Sequence, residues 1–172
     1  HPMTAPERLL ADLPPDRVAT DPDVLAAYSR DDTAWAEAGQ PIALVRPTST
    51  DEVAAVVKAC AAAGVPIVPR GAGTGLSGGA LPVEGCLLLG LSRMRRIIDI
   101  DLDNQRMRVE PGVVCDVLRN AAEQHHLTFG PDPATHSRCT LGGMIGNNSC
   151  GAHSVMAGKT EENVEALEVL TY

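Results

Sequence analysis

Residues 69–79 read Pro-Arg-Gly-Ala-Gly-Thr-Gly-Leu-Ser-Gly-Gly and follow directly on the apolar run Val65-Pro66-Ile67-Val68. Five of the chain's 16 glycines fall in this stretch. A run so poor in side chains cannot fill a core or sustain a helix. It can expose successive backbone N–H groups at positive φ and turn them toward one anion, the concave arrangement that holds phosphates. Few groups need that freedom more than a diphosphate. The first expectation is therefore a pyrophosphate cradle at the end of a strand.

The residues upstream predict how such a loop is mounted. Ile42-Ala43-Leu44-Val45 is a short apolar strand closed by Arg46-Pro47. Ser49-Thr50-Asp51-Glu52 forms a capping box, and Val53, Val56, Val57, Cys60 and Ala61 recur at helical spacing until Gly64 stops the helix. Residues 65–68 make the next strand. Strand, helix and strand in so few residues predict a right-handed parallel crossover, with the loop leaving the carboxyl end of its second strand. In open α/β sheets that end is where ligands sit.

Residues 3–40 are rich in Pro, Asp and Ala and read as a leading arm. A helix opens there at Asp21-Pro22-Asp23 and carries Leu25, Ala26 and Tyr28, with Trp35 as a packing anchor. His1-Pro2, ahead of Met3, reads as a cloning remnant. Past the loop, residues 86–91 make a buried strand. Residues 98–101 and 107–110 alternate with period two around Leu102-Asp103-Asn104, an antiparallel hairpin ended by Pro111-Gly112. A helix over 114–125 sets Val114, Val117, Leu118, Ala121 and Ala122 on one face.

Between Gly130 and Gly158 the chain is again rich in Gly and Asn, yet the apolar residues among them argue for an ordered segment rather than a linker. Thr140 is placed to cap a short helix whose first glycines face an anion. Residues 164–172 read as a strand, and its abrupt stop suggests part of a longer protein.

Composition removes several classes of function. The formal net charge is −8, no Lys or Arg cluster exceeds residues 93–96, and aromatics are 2% of the chain. There is neither a basic footprint nor a stacking surface for nucleic acid. Five cysteines without framework spacing read as reduced thiols of an intracellular protein. No apolar run approaches the ~20 residues that span a bilayer.

Competing site readings fare less well than the cradle. Gly73-x-Gly75-x-x-Gly78 with Asp99 about twenty residues on matches the Rossmann fingerprint. Gly79, Pro82, Gly85 and Gly90, however, interrupt the helix that its mechanism needs. A Walker loop lacks its Lys-Ser or Lys-Thr. His136-x-x-Cys139 and Cys150-x-x-His153 offer tetrahedral ligand types, although isolated cysteines are more often small buried hydrophobes. Ser77, Ser149 and Ser154 lack the nucleophile elbow, and Asp99, Asp101 and Asp103 lack the downstream Glu of a calcium loop. A non-redox nucleotide- or anion-binding module stays open beside a cofactor enzyme.

The segment 69–80, taken with Pro131-Asp132-Pro133, Thr140-x-Gly-Gly143 and Asn147-Asn148-Ser149-x-Gly151, closely resembles the FAD-linked oxidase family. Its flavin domain is of the type shared by vanillyl-alcohol oxidase and p-cresol methylhydroxylase. The nearest pattern is that of glycolate oxidase flavin subunits and D-lactate or D-2-hydroxyglutarate dehydrogenases. Tyr28 with Asp31, Val45-Arg46-Pro47, Glu110-Pro111-Gly112 and Gly158 ahead of residues 164–170 also match.

The resemblance implies an α+β fold of two lobes, a small parallel βαβ lobe and a mixed or antiparallel sheet lobe. With it goes a division into an arm (1–40), a first FAD-binding lobe (41–100) and the start of a second (101–172), the cap domain lying further on. Arg70, Gly71, Ala72, Gly73, Thr74, Gly75, Leu76 and Ser77 would wrap the FAD pyrophosphate, and Pro131, Asp132 and Pro133 would line the cofactor. Thr140, Gly142 and Gly143 would add pyrophosphate contacts. Asn147, Asn148, Ser149 and Gly151 would border the flavin side, and Val164 the adenine. Thr74 stands where many members carry a histidine bonded to the flavin, so FAD is expected to be noncovalent. Cys150 departs from the Ala-Gly-Gly of many glycolate-type members.

The implied activity is oxidation of a 2-hydroxy acid by the whole protein, with electrons passed to a carrier partner and no catalytic residue in this stretch. The implied location is cytoplasmic, or peripheral to the inner face of a membrane. The same fold serves UDP-N-acetylenolpyruvoylglucosamine reductase, which stays open as an alternative.

Overall fold

A computed structural model describes every residue except His1, Thr4 and Tyr172, and for Ala5 and Pro6 the backbone alone. The chain separates into two compact units. The first runs through Arg93 and takes in the chain from Leu170; the second spans Met94–Val169.

In the first unit, β1 (Val18–Ala19), β2 (Ala43–Val45), β3 (Ile67–Arg70) and β4 (Leu87–Gly90) form one sheet in the order β1-β2-β4-β3. β1 is antiparallel to β2, and the other pairs are parallel. Successive strand residues face opposite sides, and the core divides accordingly. Val45, Leu87 and Leu89 pack with Leu9 of α1 (Ala5–Ala11) and with Val56 and Cys60 of α3 (Thr50–Ala63). Leu44, Val68 and Leu88 form the other cluster, against Val24, Leu25 and Tyr28 of α2 (Pro22–Tyr28). Each buried leucine contributes about 1.5–3 kcal/mol.

The expected crossover forms, but its two strands are not neighbours. Leu88 of β4 pairs with both Leu44 and Val68, so β4 lies between β2 and β3. Burial explains the order. All of β4 is buried, as befits a continuous apolar run covered on both faces, while β3 contains Pro69, which cannot donate to a ladder and belongs at an edge.

α3 has the caps its sequence promises, with one change. Ser49 Oγ accepts from the Glu52 N–H at 3.2 Å, and Gly64 closes the helix in the left-handed region at φ 66. The Glu52 carboxylate reaches the Thr48 N–H at 2.7 Å rather than that of Ser49, and also takes Arg17 Nε at 3.1 Å. The Thr48 N–H, against burial and together with Arg17, holds this carboxyl below its ordinary range. Such a cap contributes about 1 kcal/mol. Trp35 is 76% exposed and anchors nothing; Leu25 and Tyr28 take that role.

The second unit holds the hairpin β5 (Ile97–Asp101) and β6 (Arg106–Val109), antiparallel with a bulge between Ile97 and Asp99. Asn104 closes its turn on Asp101 through Nδ2 at 2.7 Å and its N–H at 3.1 Å. Three helices follow: α4 (Cys115–Glu123), α5 (Leu141–Asn147) and α6 (Ser154–Ala157).

α4 buries Cys115, Leu118 and Ala122, whereas Val117, expected on the buried face, is 52% exposed. Tertiary pairing sets this rotation. Val114 bridges Thr140, and the Cys115 N–H donates to the Cys139 carbonyl at 3.0 Å. The strand expected over 164–172 does not form in 164–171, and Tyr172 lies outside the described residues. That stretch is tied to β6 by side chains instead, Glu165 to Arg106 at 2.7 Å and Glu168 to Arg108 at 3.9 Å. Among the described residues no helix is long and apolar enough to cross a membrane.

Candidate functional site

The residues singled out from the sequence fall in both units. In the first, β3 ends at Arg70, whose carbonyl accepts the Leu91 N–H at 3.0 Å, and the chain leaves the sheet at the strand's carboxyl end. Residues 71–77 then form no helix or strand. Among the described residues, none of the N–H groups of Gly71, Ala72, Gly73, Thr74, Gly75, Leu76 and Ser77 donates a hydrogen bond within the protein. Backbone donors left unpaired in this way require solvent or a ligand. Ala72, Gly75, Leu76 and Ser77 are exposed, so the row is accessible. The loop closes where the Leu81 N–H meets the Gly78 carbonyl at 3.2 Å.

Arg70 turns inward beneath this row and is only 8% exposed. Its guanidinium carbon sits 5.6 Å from the centre of the Tyr28 ring. Burial draws its pKa below the ordinary value, opposed by Asp31 and Tyr28. Gly73, at φ 72, lies directly on this side chain. A Cβ there would stand 2.8 Å from Arg70 Cζ and 3.1 Å from the Arg30 carbonyl oxygen. Arg70 Nη1, Asp31 Oδ2 and Thr33 Oγ1 are buried without a hydrogen-bond partner. A buried guanidinium against Gly73, within a run of free N–H groups, is chemistry suited to an anion.

The second unit's glycines are spent differently. Gly142 donates its N–H to the Pro111 carbonyl at 2.9 Å, and a Cβ on it would meet Pro111 Cβ at 2.9 Å. Leu141 likewise donates to Val113 at 2.8 Å. Thr140 occupies the N-cap of α5 without capping through its side chain, while the exposed Gly143 keeps a free N–H among the described residues. α5 ends on Asn148 in the left-handed region at φ 46, and its Oδ1 accepts the Glu161 N–H at 3.0 Å. Asn147 Nδ2 reaches Ser149 Oγ at 3.3 Å.

Pro131 and Pro133 are buried. Asp132 between them takes the His153 N–H at 3.1 Å and the His153 ring nitrogen. Those hydrogen bonds hold the Asp132 carboxyl below its ordinary range. Gly151 packs on the Asp132 backbone so closely that a Cβ would overlap it. Val164 is half-buried and lines a cleft of about 320 Å³ with Ile145, Glu161, Glu165, Ala166 and Leu167.

The four metal-ligand types are directed elsewhere. His136 Nδ1 pairs with Asp116 at 2.7 Å, His153 with Asp132, and Cys150 is exposed. Cys139 shares a buried cluster with Cys115 and Met144. The interaction between the two thiols draws Cys139 down and, together with burial, pushes Cys115 up. No group of three or more ligating side chains gathers among the described residues.

Sequence reasoning missed two supports. Thr160, fully buried, bonds the Ser149 carbonyl through N–H (3.1 Å) and Oγ1 (2.7 Å). Arg119 holds the Phe129 and Pro131 carbonyls at 3.3 and 3.0 Å. Neither carries a local signal, since each acts across ten or more positions.

Known proteins share the sequence and the fold. Residues 41–172 match the FAD binding domain family. Glycolate oxidase subunit GlcD of Escherichia coli (strain K12) is 40% identical over 132 residues, covering 77% of this chain and 26% of the relative. D-lactate dehydrogenase of Anaerostipes hadrus is 35% identical over 159 residues, 92% of this chain and 33% of the relative. This chain thus spans about a third or less of their length. The solved structure of p-cresol methylhydroxylase with substrate bound superposes at a TM-score of 0.74 with 28% identity, over 86% of this chain and 29% of that one. With residues 41–172 matched and the same fold in a solved relative, the chain belongs to the FAD binding domain family.

Proposed function

We propose that this chain is the FAD-binding part of a 2-hydroxy-acid dehydrogenase that holds its flavin noncovalently. The row of unpaired N–H groups over residues 71–77, with the buried guanidinium of Arg70 against Gly73, carries the reading. It is a cradle for a diphosphate, the part of FAD richest in acceptor oxygens. Thr140, Gly142, Gly143, Asn147, Asn148, Ser149 and Gly151 form the second contact segment, with Gly143 offering a free N–H. Pro131, Asp132 and Pro133 line the cofactor. The cleft at Val164, apolar through Ile145, Ala166 and Leu167, is suited to the adenine.

FAD held by these residues would supply the redox chemistry, acceptance of a hydride from the alcohol carbon of the substrate. This chain's residues bind and orient it. Thr74 has no ring nitrogen with which to bond the flavin, so the attachment is noncovalent. The 2-hydroxy-acid class is supported by the relatives that oxidise glycolate and D-lactate by name. The whole protein passes its electrons to a carrier and works in the cytoplasm, free or at the inner face of a membrane.

The test is direct. The purified whole protein should be yellow, should release FAD into the supernatant on acid precipitation, and should reduce a dye acceptor with glycolate, D-lactate or D-2-hydroxyglutarate. A colourless protein indifferent to added FAD would defeat the proposal, and flavin retained in the acid pellet would defeat the noncovalent part.

A further inference from the structure

We propose that the arm before residue 41, outside the stretch matched to the FAD binding domain family, is a working part of the cofactor site: Tyr28 and Asp31 position Arg70, and through it the loop that receives the diphosphate. The proposal rests on the diphosphate reading of residues 71–77. Three observations carry it. The Tyr28 ring, at the end of α2, lies 5.6 Å from the Arg70 guanidinium carbon, within cation–π range. The Asp31 carboxylate acts electrostatically on the same guanidinium and keeps a buried, unpartnered Oδ2, its other oxygen being fixed by the Thr33 N–H at 2.7 Å. The Arg30 carbonyl and Arg70 together occupy the space where a Gly73 side chain would stand, so the arm touches the loop's backbone at its tightest point.

The physical logic is one of preorganisation. A guanidinium buried to this degree is expensive unless its charge is compensated. The protein compensates it in part, with one aromatic face and one carboxylate drawn from the arm, and leaves Nη1 free. Arg70 is thereby held as a fixed post against Gly73, and its charge adds to the positive potential of the loop's unpaired N–H groups. Tyr28 and Asp31 are positioning residues, since they act through Arg70 rather than on the ligand.

The experiment uses the whole protein stripped of flavin and titrated with FAD, with ADP as a diphosphate probe and with riboflavin as a probe lacking phosphate. Tyr28→Leu should weaken FAD and ADP about tenfold and leave riboflavin within about twofold, and Tyr28→Phe, which keeps the ring, should restore both. Asp31→Asn, nearly isosteric, should weaken FAD and ADP about threefold. It decides the matter where Tyr28→Leu does not fold, and an unchanged ADP affinity in Asp31→Asn would then overturn the proposal.

Tyr28→Leu binding all three probes like the wild type would overturn it as well. So would an equal loss of all three that Tyr28→Phe fails to rescue, the mark of a merely structural arm. A wild-type protein that takes up neither FAD nor ADP would defeat the flavoprotein reading itself. A flavin-binding wild type with an indifferent Tyr28→Leu would defeat only the role of the arm.

Discussion

The two glycine-rich segments look alike in composition and do opposite things with their backbones. Among the described residues the N–H groups along 71–77 are unpaired, and Gly75 has nothing within 4 Å of where a Cβ would stand. In the second segment Gly142 gives its N–H to Pro111, and Gly151 is pressed onto Asp132. The first set of glycines leaves donors free for a ligand. The second, apart from the free N–H of Gly143, allows one stretch of backbone to lie on another. Glycine content alone therefore does not mark a phosphate loop; the fate of the N–H groups does.

Substitutions that add a side chain separate the two roles. The largest effect is expected of Gly73→Val, where positive φ and contact with Arg70 and Arg30 coincide. FAD affinity of the whole protein should fall at least about a hundredfold by fluorescence titration. Flavin content equal to that of the wild type would remove the first loop from the site. Gly151→Ala should come next, destabilising the fold by about 3 kcal/mol in urea because the new carbon meets backbone that cannot move aside. Gly142→Val should behave similarly, losing stability on Pro111 before it loses flavin. A stable Gly142→Val protein that fails only to bind FAD would reverse the contrast drawn between the segments.

Gly75→Val sharpens the comparison from the other side. With open space around it, stability should stay within about 0.5 kcal/mol while the Kd for FAD rises about tenfold. Equal loss of stability and affinity would show that this glycine packs like those of the second segment.

The smallest effect concerns acid. Asp132 has a carboxyl pKa lowered in the fold by its hydrogen bonds with His153, so the stabilisation it provides is complete above the ordinary Asp value of about 3.9 and fades as pH falls through the lowered one. Amide exchange at residues 151–154 should accelerate below about pH 4, ahead of any change at Tyr28 or Arg70, whose contact involves a guanidinium that stays charged. Asp132→Asn should abolish that pH step. A step that persists in this variant would place the acid-sensitive group elsewhere.

The division between what sequence and tertiary structure each decide follows from range. The caps of α3, the hairpin turn at Asp101 and Asn104, the helix opened by Asp21 and Pro22, and the glycine loop behind β3 were all legible, because each depends on φ preferences and hydrogen bonds spanning a few residues. The ordered motifs also carried the family and its cofactor. Local sequence could not say that β4 would enter between β2 and β3, since this was decided by which strand is apolar enough to be covered on both faces.

The rotation of α4 was likewise beyond reach, because the pairing of residues 113–115 with 139–141 overrode the apolar stripe expected from periodicity. Residues 164–171 alternate like a strand, but a strand also needs a partner's ladder, and among the described residues side-chain ion pairs, not a ladder, tie this stretch to β6. The sequence by itself set the expectation of a backbone cradle for a diphosphate. Only the tertiary structure decided which glycines keep their N–H groups free among the described residues, and that the Tyr28 ring, some forty residues upstream, lies over the buried Arg70 guanidinium. Whether a donor is spent or free depends on which carbonyl the folded chain brings to it, and no local pattern encodes that.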